Sequence, residues 1–331
     1  MSSPKNGATP ALSVVVVADE YATIRKMARH LAAQTIADRI ELVVVVPRGT
    51  TISPDEPELR KIAGLQTIEI DSILSLSWAR APGIRAALAP VVALTESHAF
   101  PEPEWAEAML AAVGEGWAAV GPGVANANPD SSMSWANLLL DYGPWIELPE
   151  RRELLDLPGH NSAYRKEALL ELGDELEELL EAEHFMHARM RARGHRLLLE
   201  PRAGMAHVNV SRLGSLLLER FNTGRRFGGA RARTLSPVGR IAYAAGSPLI
   251  PFVRLPRILG DLRRTGRRKT LLPGILPWLL FGLVMSAVGE LVGYVSGPGR
   301  SMYHLSRIEL HKERHLARGD RLVEAVGVDT A

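Results

Sequence analysis

Ser13 to Val17 is a continuous β-branched run between polar residues, the pattern of a strand buried on both faces of a parallel sheet. From Tyr21 to Ala33 the period changes, with Ile24, Met27, Ala28 and Leu31 at helical spacing. Glu41 to Val46 is a second buried strand, stopped by Pro47-Arg48-Gly49. Strand, helix and strand within ~35 residues form the unit of a parallel sheet with right-handed crossovers. A shorter strand is expected over Thr67 to Ile70, a helix over Trp78 to Leu88 with Pro82 near its start, and a fourth strand over Val91 to Leu94. That run ends in Thr95-Glu96-Ser97-His98. Pro101 and Pro103 then forbid further pairing before Trp105 opens a helical pattern. The N-terminal part therefore reads as an α/β nucleotide-fold half.

Beyond it, Gly121 to Asp130 reads as loop, Ser134 to Tyr142 as a short helix, and Leu157 to Arg165 as a turn leading into a strand edge. Lys166 to Glu181 reads as one helix rich in Leu and Glu, with Glu183-His184 at its end. A further helix runs to Arg193 and stops at Gly194. Arg196 to Leu199 is a strand closed by Pro201, and Ala206-His207-Val208 ends the globular part. Leu213 to Arg233 is then a basic helix interrupted by Gly224 and Gly228-Gly229. Ile241 to Leu255 is apolar but only ~15 residues long and broken by Pro248 and Pro251, which suits an interfacial or re-entrant segment. Leu271 to Gly289 carries no charge and reaches spanning length, although Glu290, Pro273 and Pro277 also suit a buried helix of a soluble domain. Arg263, Arg264, Arg267, Arg268 and Lys269 stand just before it, where positive-inside residues belong. Tyr303 to Val326 is a charged amphipathic helix that suits a membrane surface or any soluble surface.

Charge changes the picture through its distribution. The chain has 39 Lys and Arg against 37 Asp and Glu, yet from Asp141 to Ala188 there are 13 acids, and from Arg189 to Lys269 there are 19 Lys or Arg against Glu200, Glu219 and Asp261. Such a basic block seeks phosphates of lipid head groups, nucleotides or nucleic acid. It lacks the interleaved aromatics that stack on bases, so nucleic acid is the least favoured partner. With no cysteine, disulfides and thiolate metal sites are excluded. The polar first dozen residues carry no signal-peptide pattern, which points to a cytoplasmic, membrane-associated catalytic part.

Chemistry is concentrated at a few positions. Glu96 and His98 stand at the carboxyl end of a strand, the edge where open α/β sheets bind ligands; they can hold a metal, bind substrate, or end the strand in solvent. His184 and His187, three apart on a helix, can pair on a metal, but no third ligand is near in sequence. Trp105 and Trp135 read as packing residues. No glycine-rich phosphate loop is present.

The order of several motifs resembles the family-2 glycosyltransferases over residues 11–215. Ala33-Gln34-Thr35 before the second strand matches the family's opening unit, and Ala79-Arg80-Ala81-Pro82-Gly83-Ile84 is similar to its Ala-Arg-Asn-x-Gly-Ile segment. Glu96-Ser97-His98, with Pro101-Glu102-Pro103-Glu104-Trp105, occupies the place of its Asp-x-Asp and following Pro-Asp-x-x-Trp. Gly159 to Arg165 resembles its Gly-x-Asn-x-Ala-x-Arg, Glu183 sits at its Glu-Asp, and His207 matches the histidine after its last core strand. Three departures stand out: Pro47-Arg48-Gly49-Thr50 replaces an Asp-Asp-Gly-Ser turn, Ala182 replaces the first acid of Glu-Asp, and Glu-x-His replaces Asp-x-Asp.

The resemblance implies a GT-A fold with a mostly parallel central sheet, followed by C-terminal membrane-associated helices. It also implies inverting transfer of a sugar from a nucleotide diphosphate donor to a lipid-linked or glycan acceptor at the membrane. Glu183 becomes the general base, provided burial raises its pKa. Glu96 and His98, with His207 as third ligand, become a divalent cation site that suits Mn²⁺ better than Mg²⁺ because of the imidazoles. Asp19, Glu20 and Arg80 are expected on the nucleotide diphosphate, and His160, Asn161 and Arg165 on the substrate. Arg220, Arg225 and Arg226, on the basic helix that follows, suit either the phosphate of a lipid-linked acceptor or anionic membrane head groups. The rival expectation is a transferase fold that has lost catalysis and serves as a membrane scaffold or sugar-nucleotide sensor. The expected divisions are a flexible 1–10, a catalytic 11–215, a basic and interfacial 216–270, a transmembrane or re-entrant 271–295 and an amphipathic 296–331; oligomeric state stays open.

Overall fold

The structure, a computed structural model, describes residues 9–146 and 150–320. In chain order the elements of the first half are β1 (Leu12–Val17), α1 (Tyr21–Ala32), β2 (Ile40–Pro47), β3 (Gly64–Ile70), α2 (Leu76–Ala86), β4 (Val91–Leu94), β5 (Ala99–Pro101), α3 (Trp105–Gly114), β6 (Ala119–Asn126) and α4 (Ser132–Tyr142). Then follow β7 (Arg152–Glu153), β8 (Ala163–Arg165), α5 (Lys166–Leu170), α6 (Leu176–Glu181), α7 (Glu183–Ala192) and β9 (Leu197–His207). The remainder is helical: α8 (Leu213–Ala232), α9 (Pro237–Gly246), α10 (Ile250–Arg264), α11 (Arg268–Ser296) and α12 (Ser301–Leu310). The described residues form two compact units, residues 9–125 with 150–206 and residues 126–146 with 207–320.

The first unit is built on a sheet of order β3-β2-β1-β4-β8-β6-β9-β5, with β7 paired to β9. β1 is parallel to β2 and β4, and β2 to β3; β8 is antiparallel to β4 and β6. Every residue of β1 and β4 is buried, as a parallel strand covered on both faces requires. The buried Glu41 carboxylate is satisfied by Ser13 Oγ, Gln66 Nε2 and the Leu88 N–H.

Several elements differ from expectation. Gly121 to Asn126 belongs to β6 rather than a loop, because neighbours on the sheet supply ladder partners that override glycine and proline propensity. The Lys166 to Glu181 stretch breaks at Gly173 (φ 59°) into α5 and α6. β9 continues through Pro201, which lies between the part paired to β7 at Leu198 and Leu199 and Gly204, whose carbonyl accepts from the Glu102 N–H. α2 starts at Leu76, capped by Ser75 Oγ on the Trp78 N–H, so Pro82 is interior to it.

The second unit packs α11 along α8. The glycines of α8 do not interrupt it, since they admit backbone contact. A Cβ at Gly224 would lie 2.1 Å from the Ser286 carbonyl oxygen, and one at Gly289 2.1 Å from that of Phe221. α8 is also pinned to α4 by a bidentate pair, Arg220 Nη1 and Nη2 to the Asp141 carboxylate at 2.6 and 2.7 Å. Arg220 is therefore buried and paired instead of presented to a lipid phosphate, and Arg225 donates Nε to the Gly297 carbonyl at 3.1 Å. Ile241 to Leu255 is helical, divided between α9 and α10 by a 3₁₀ turn at Ser247–Leu249. The helix expected from Tyr303 begins at Ser301 and ends at Leu310, and residues 321–326 of that expectation lie outside the described residues. Among the described residues α11 is long and apolar enough to cross a membrane, and 33% of its most apolar window is buried.

Candidate active site

The parallel register Leu12↔Val91 to Val15↔Leu94 brings the carboxyl ends of β1 and β4 to one edge, so Asp19 and the Thr95–His98 turn emerge side by side. Asp19 is half-buried there, its carbonyl accepting from Thr50 Oγ1 at 3.4 Å. Glu20 is exposed and N-caps α1 through its backbone. Arg80, buried on α2, extends Nη2 to the Thr95 carbonyl at 3.4 Å, which holds a guanidinium behind the turn that carries Glu96.

β8 closes the edge from the other side. The Leu94 N–H donates to the Ser162 carbonyl at 3.0 Å, so the 3₁₀ turn Gly159–Asn161 sits directly beside Glu96. Asn161 is fully buried and donates Nδ2 to Glu96 Oε2 at 2.7 Å. His160 lies between two carboxylates: its Nδ1 pairs with Glu183 Oε1, and its Nε2 is 3.9 Å from Glu96 Oε1. Glu183 opens α7, where the positive end of the helix favours a carboxylate. Gly159 makes room for it, since a Cβ there would lie 2.6 Å from Glu183 Cδ and 2.8 Å from its Cβ.

The electrostatics reverse one expectation. Burial opposes ionisation of Glu183, but the His160 charge and hydrogen bond, together with Arg80, outweigh it and hold the carboxyl below its ordinary value of 4.5. Burial likewise opposes protonation of His160, yet Glu183 and Glu96 raise its pKa from 6.5 to about 9. At neutral pH the pair is an imidazolium and a carboxylate. Sequence reasoning assigned His160 to acceptor orientation or a simple turn and missed its pairing with Glu183, which are 23 residues apart in the chain.

Glu96 and His98 are buried just after β4, and His207 is buried at the end of β9. Asn209 Nδ2 donates to Asn126 Oδ1 at 3.0 Å and to the His207 carbonyl at 2.9 Å, which sets its amide orientation. Its Oδ1 therefore accepts from His207 Nδ1 at 3.0 Å, leaving the ring lone pair on Nε2. One carboxylate and two imidazoles form a donor set that fits a divalent transition ion. Asn209 was not singled out from sequence; its position two residues after a candidate ligand was the available signal.

Two candidates lie elsewhere. Arg165 pairs in register with Val91 at the opposite end of β4, and its Nη2 is 3.4 Å from His195 Nδ1, so the antiparallel register takes it away from Glu96. His187 is buried with Asp156 on Nδ1 and Tyr164 Oη on Nε2 at 3.0 Å, so both ring nitrogens are used and no metal pair forms with His184. Trp105 and Trp135 are buried, as packing residues are.

The mostly parallel α/β sheet has a GT-A-like fold. Residues 13–173 match the family model of glycosyl transferase family 2; the chain carries a domain of that family and is a glycosyltransferase. Among solved structures it is similar to the mannosyltransferase PcManGT from Pyrobaculum calidifontis in complex with GDP-Man and Mn²⁺, at 18% identity and TM-score 0.52 over 87% of this chain and 89% of that one. It also aligns with S. aureus TarS 1–349 in complex with UDP, at 15% identity and TM-score 0.45 over 90% and 91% of the two chains. With GalNAc-T7, solved with UDP, GalNAc and Mn²⁺, the values are 15% and 0.43, over 60% of this chain and 44% of that one, less than half its length. No curated protein sequence matches the chain.

Proposed function

We propose that the protein transfers a sugar, with inversion, from a nucleoside diphosphate donor to a hydroxyl of a lipid-linked or glycan acceptor at a membrane, from the cytoplasmic side. The observation that carries this reading is the convergence of Glu96, His160, Asn161 and Glu183 beside the carboxyl end of β4. Glu183, ionised at neutral pH, takes the acceptor proton as the acceptor oxygen bonds to the anomeric carbon and the bond from that carbon to the diphosphate breaks. His160 positions Glu183 and keeps it ionised. Glu96, His98 and His207 would hold a divalent cation, Mn²⁺ in preference to Mg²⁺, which would supply charge neutralisation for the departing diphosphate. Arg80 adds positive charge behind that turn, Asn161 fixes the Glu96 carboxylate, and Asp19 with Glu20 meets the nucleoside from the end of β1. Arg165 stays out of this assignment because of its register.

The test is incubation of the purified protein with a panel of UDP- and GDP-sugars and Mn²⁺ or Mg²⁺, measuring nucleoside diphosphate release and binding. Release with at least one donor, greater with Mn²⁺, is expected, and Glu183→Gln should reduce it by about 10²–10⁴-fold while donor binding persists. Absence of both turnover and diphosphate binding across the panel would overturn the reading.

A further inference from the structure

Two stretches of the second unit are apolar on the face they show as well as on the face they pack. α10 buries Ile258 and Leu262, yet Val238, Ile241, Leu249, Phe252 and Val253, recurring mostly at helical spacing from α9 through the 3₁₀ turn into α10, are 50% to 77% exposed. α9 buries no residue at all. On α11, Ile275, Leu279 and Leu283 are buried, while Phe281, Val284, Val288, Leu291 and Val295 form an exposed stripe at steps of three or four. A helix at a water interface places polar residues on its outer face. Exposed apolar stretches of this extent mark a binding surface. Its occupant is indicated by charge: the exposed Arg263, Arg267, Arg268 and Lys269 stand at the junction of α10 and α11.

α11 is not placed to cross a bilayer. Its other face is taken by α8 from the Gly224–Ser286 contact to the Gly293–Arg225 contact, where backbones approach too closely for a Cβ. α8 carries Glu219, Arg220, Arg225, Arg226 and Arg231. Moving α11 into hydrocarbon would take those charges along or strip the glycine contacts, and each charge costs about 2.5–3.5 kcal/mol near the bilayer centre.

We propose that α9, α10 and the exposed stripe of α11 dock in the plane of a bilayer bearing anionic headgroups, with α11 lying in the headgroup boundary and not spanning. This rests on the membrane-proximal reading above and is independent of sugar transfer. The full chain should float with vesicles of phosphatidylcholine and phosphatidylglycerol, less with phosphatidylcholine alone, and less again as salt rises. Ile241→Glu with Phe252→Glu should lower that partition at least about tenfold, with nucleoside diphosphate binding and the melting curve unchanged. Because the chain has no cysteine, Thr270→Cys and Ser296→Cys, made singly, mark the two ends of α11 for a membrane-impermeant maleimide applied to inside-out vesicles from expressing cells. Equal labelling from one side is expected. Labelling from opposite sides, flotation unaffected by the double variant, or a vesicle-free dimer that the variant dissociates would each overturn the proposal, the last by assigning the face to a second copy. Loss of donor turnover with flotation intact would count against the function and leave the docking standing.

Discussion

The His160–Glu183 pair makes a prediction whose sign and size follow from its surroundings. Glu183 is 16% exposed and His160 32%, and each is the other's main opposite charge. A rise of the imidazole pKa from 6.5 to about 9 corresponds to about 3.4 kcal/mol at 1.36 kcal/mol per decade of proton concentration. Solvent reaches nearly a third of the ring, so screening reduces the expected contribution to about 2 kcal/mol. Since the folded pKa of His160 is the higher one, its contribution is complete below about pH 6.5 and disappears as pH climbs through about 9. Glu183 runs the other way: its lowered pKa contributes above its ordinary value of 4.5 and is lost as pH falls through the folded value. Urea unfolding of wild type and His160→Gln at about pH 6 and about pH 10 reads the difference. Wild type should lose about 2 kcal/mol more than the variant between the two. In the variant, Glu183 loses the opposing charge and hydrogen bond of His160 and keeps only the more distant Arg80 against its burial, so the acidic limb of the activity profile should move to higher pH. Equal pH dependence of unfolding in both proteins, with no movement of that limb, would refute the pairing as an energetic fact.

Two further outcomes test the same site. Gly159→Ala introduces a Cβ 2.6 Å from Glu183 Cδ and 2.8 Å from its Cβ, so about 1–3 kcal/mol of stability should be lost and turnover should fall together, measured by denaturation and donor assay; a full-activity variant of native stability would disprove the contact. Asn209→Ala frees the His207 tautomer, so Mn²⁺ affinity read by electron paramagnetic resonance without nucleotide should fall about 10- to 100-fold, and unchanged affinity would remove Asn209 from the positioning of His207.

Local pattern determined the parallel half of this protein. β1, β2 and β4 announce themselves because strands buried on both faces are near-continuous apolar runs, and the carboxyl end of such a strand is recognisable one residue at a time, as with Glu96 and His98. Glycine and proline misled wherever a distant partner supplied what propensity withheld: β6 runs through Gly121-Pro122-Gly123 on its neighbours' hydrogen bonds, and α8 keeps its glycines because α11 lies against them. The charge block from Arg189 to Lys269 was legible as composition, but not that Arg220 is consumed by Asp141 while Arg263, Arg267 and Arg268 stay exposed. The sequence by itself therefore determined the fold class and pointed to the strand end at Glu96 and His98. Only tertiary structure decided that His160 belongs to Glu183, that Arg165 lies at the far end of β4, and that burial loses to a neighbouring charge in setting the Glu183 pKa. Those outcomes depend on strand register and on distances across the sheet, which no spacing along the chain encodes.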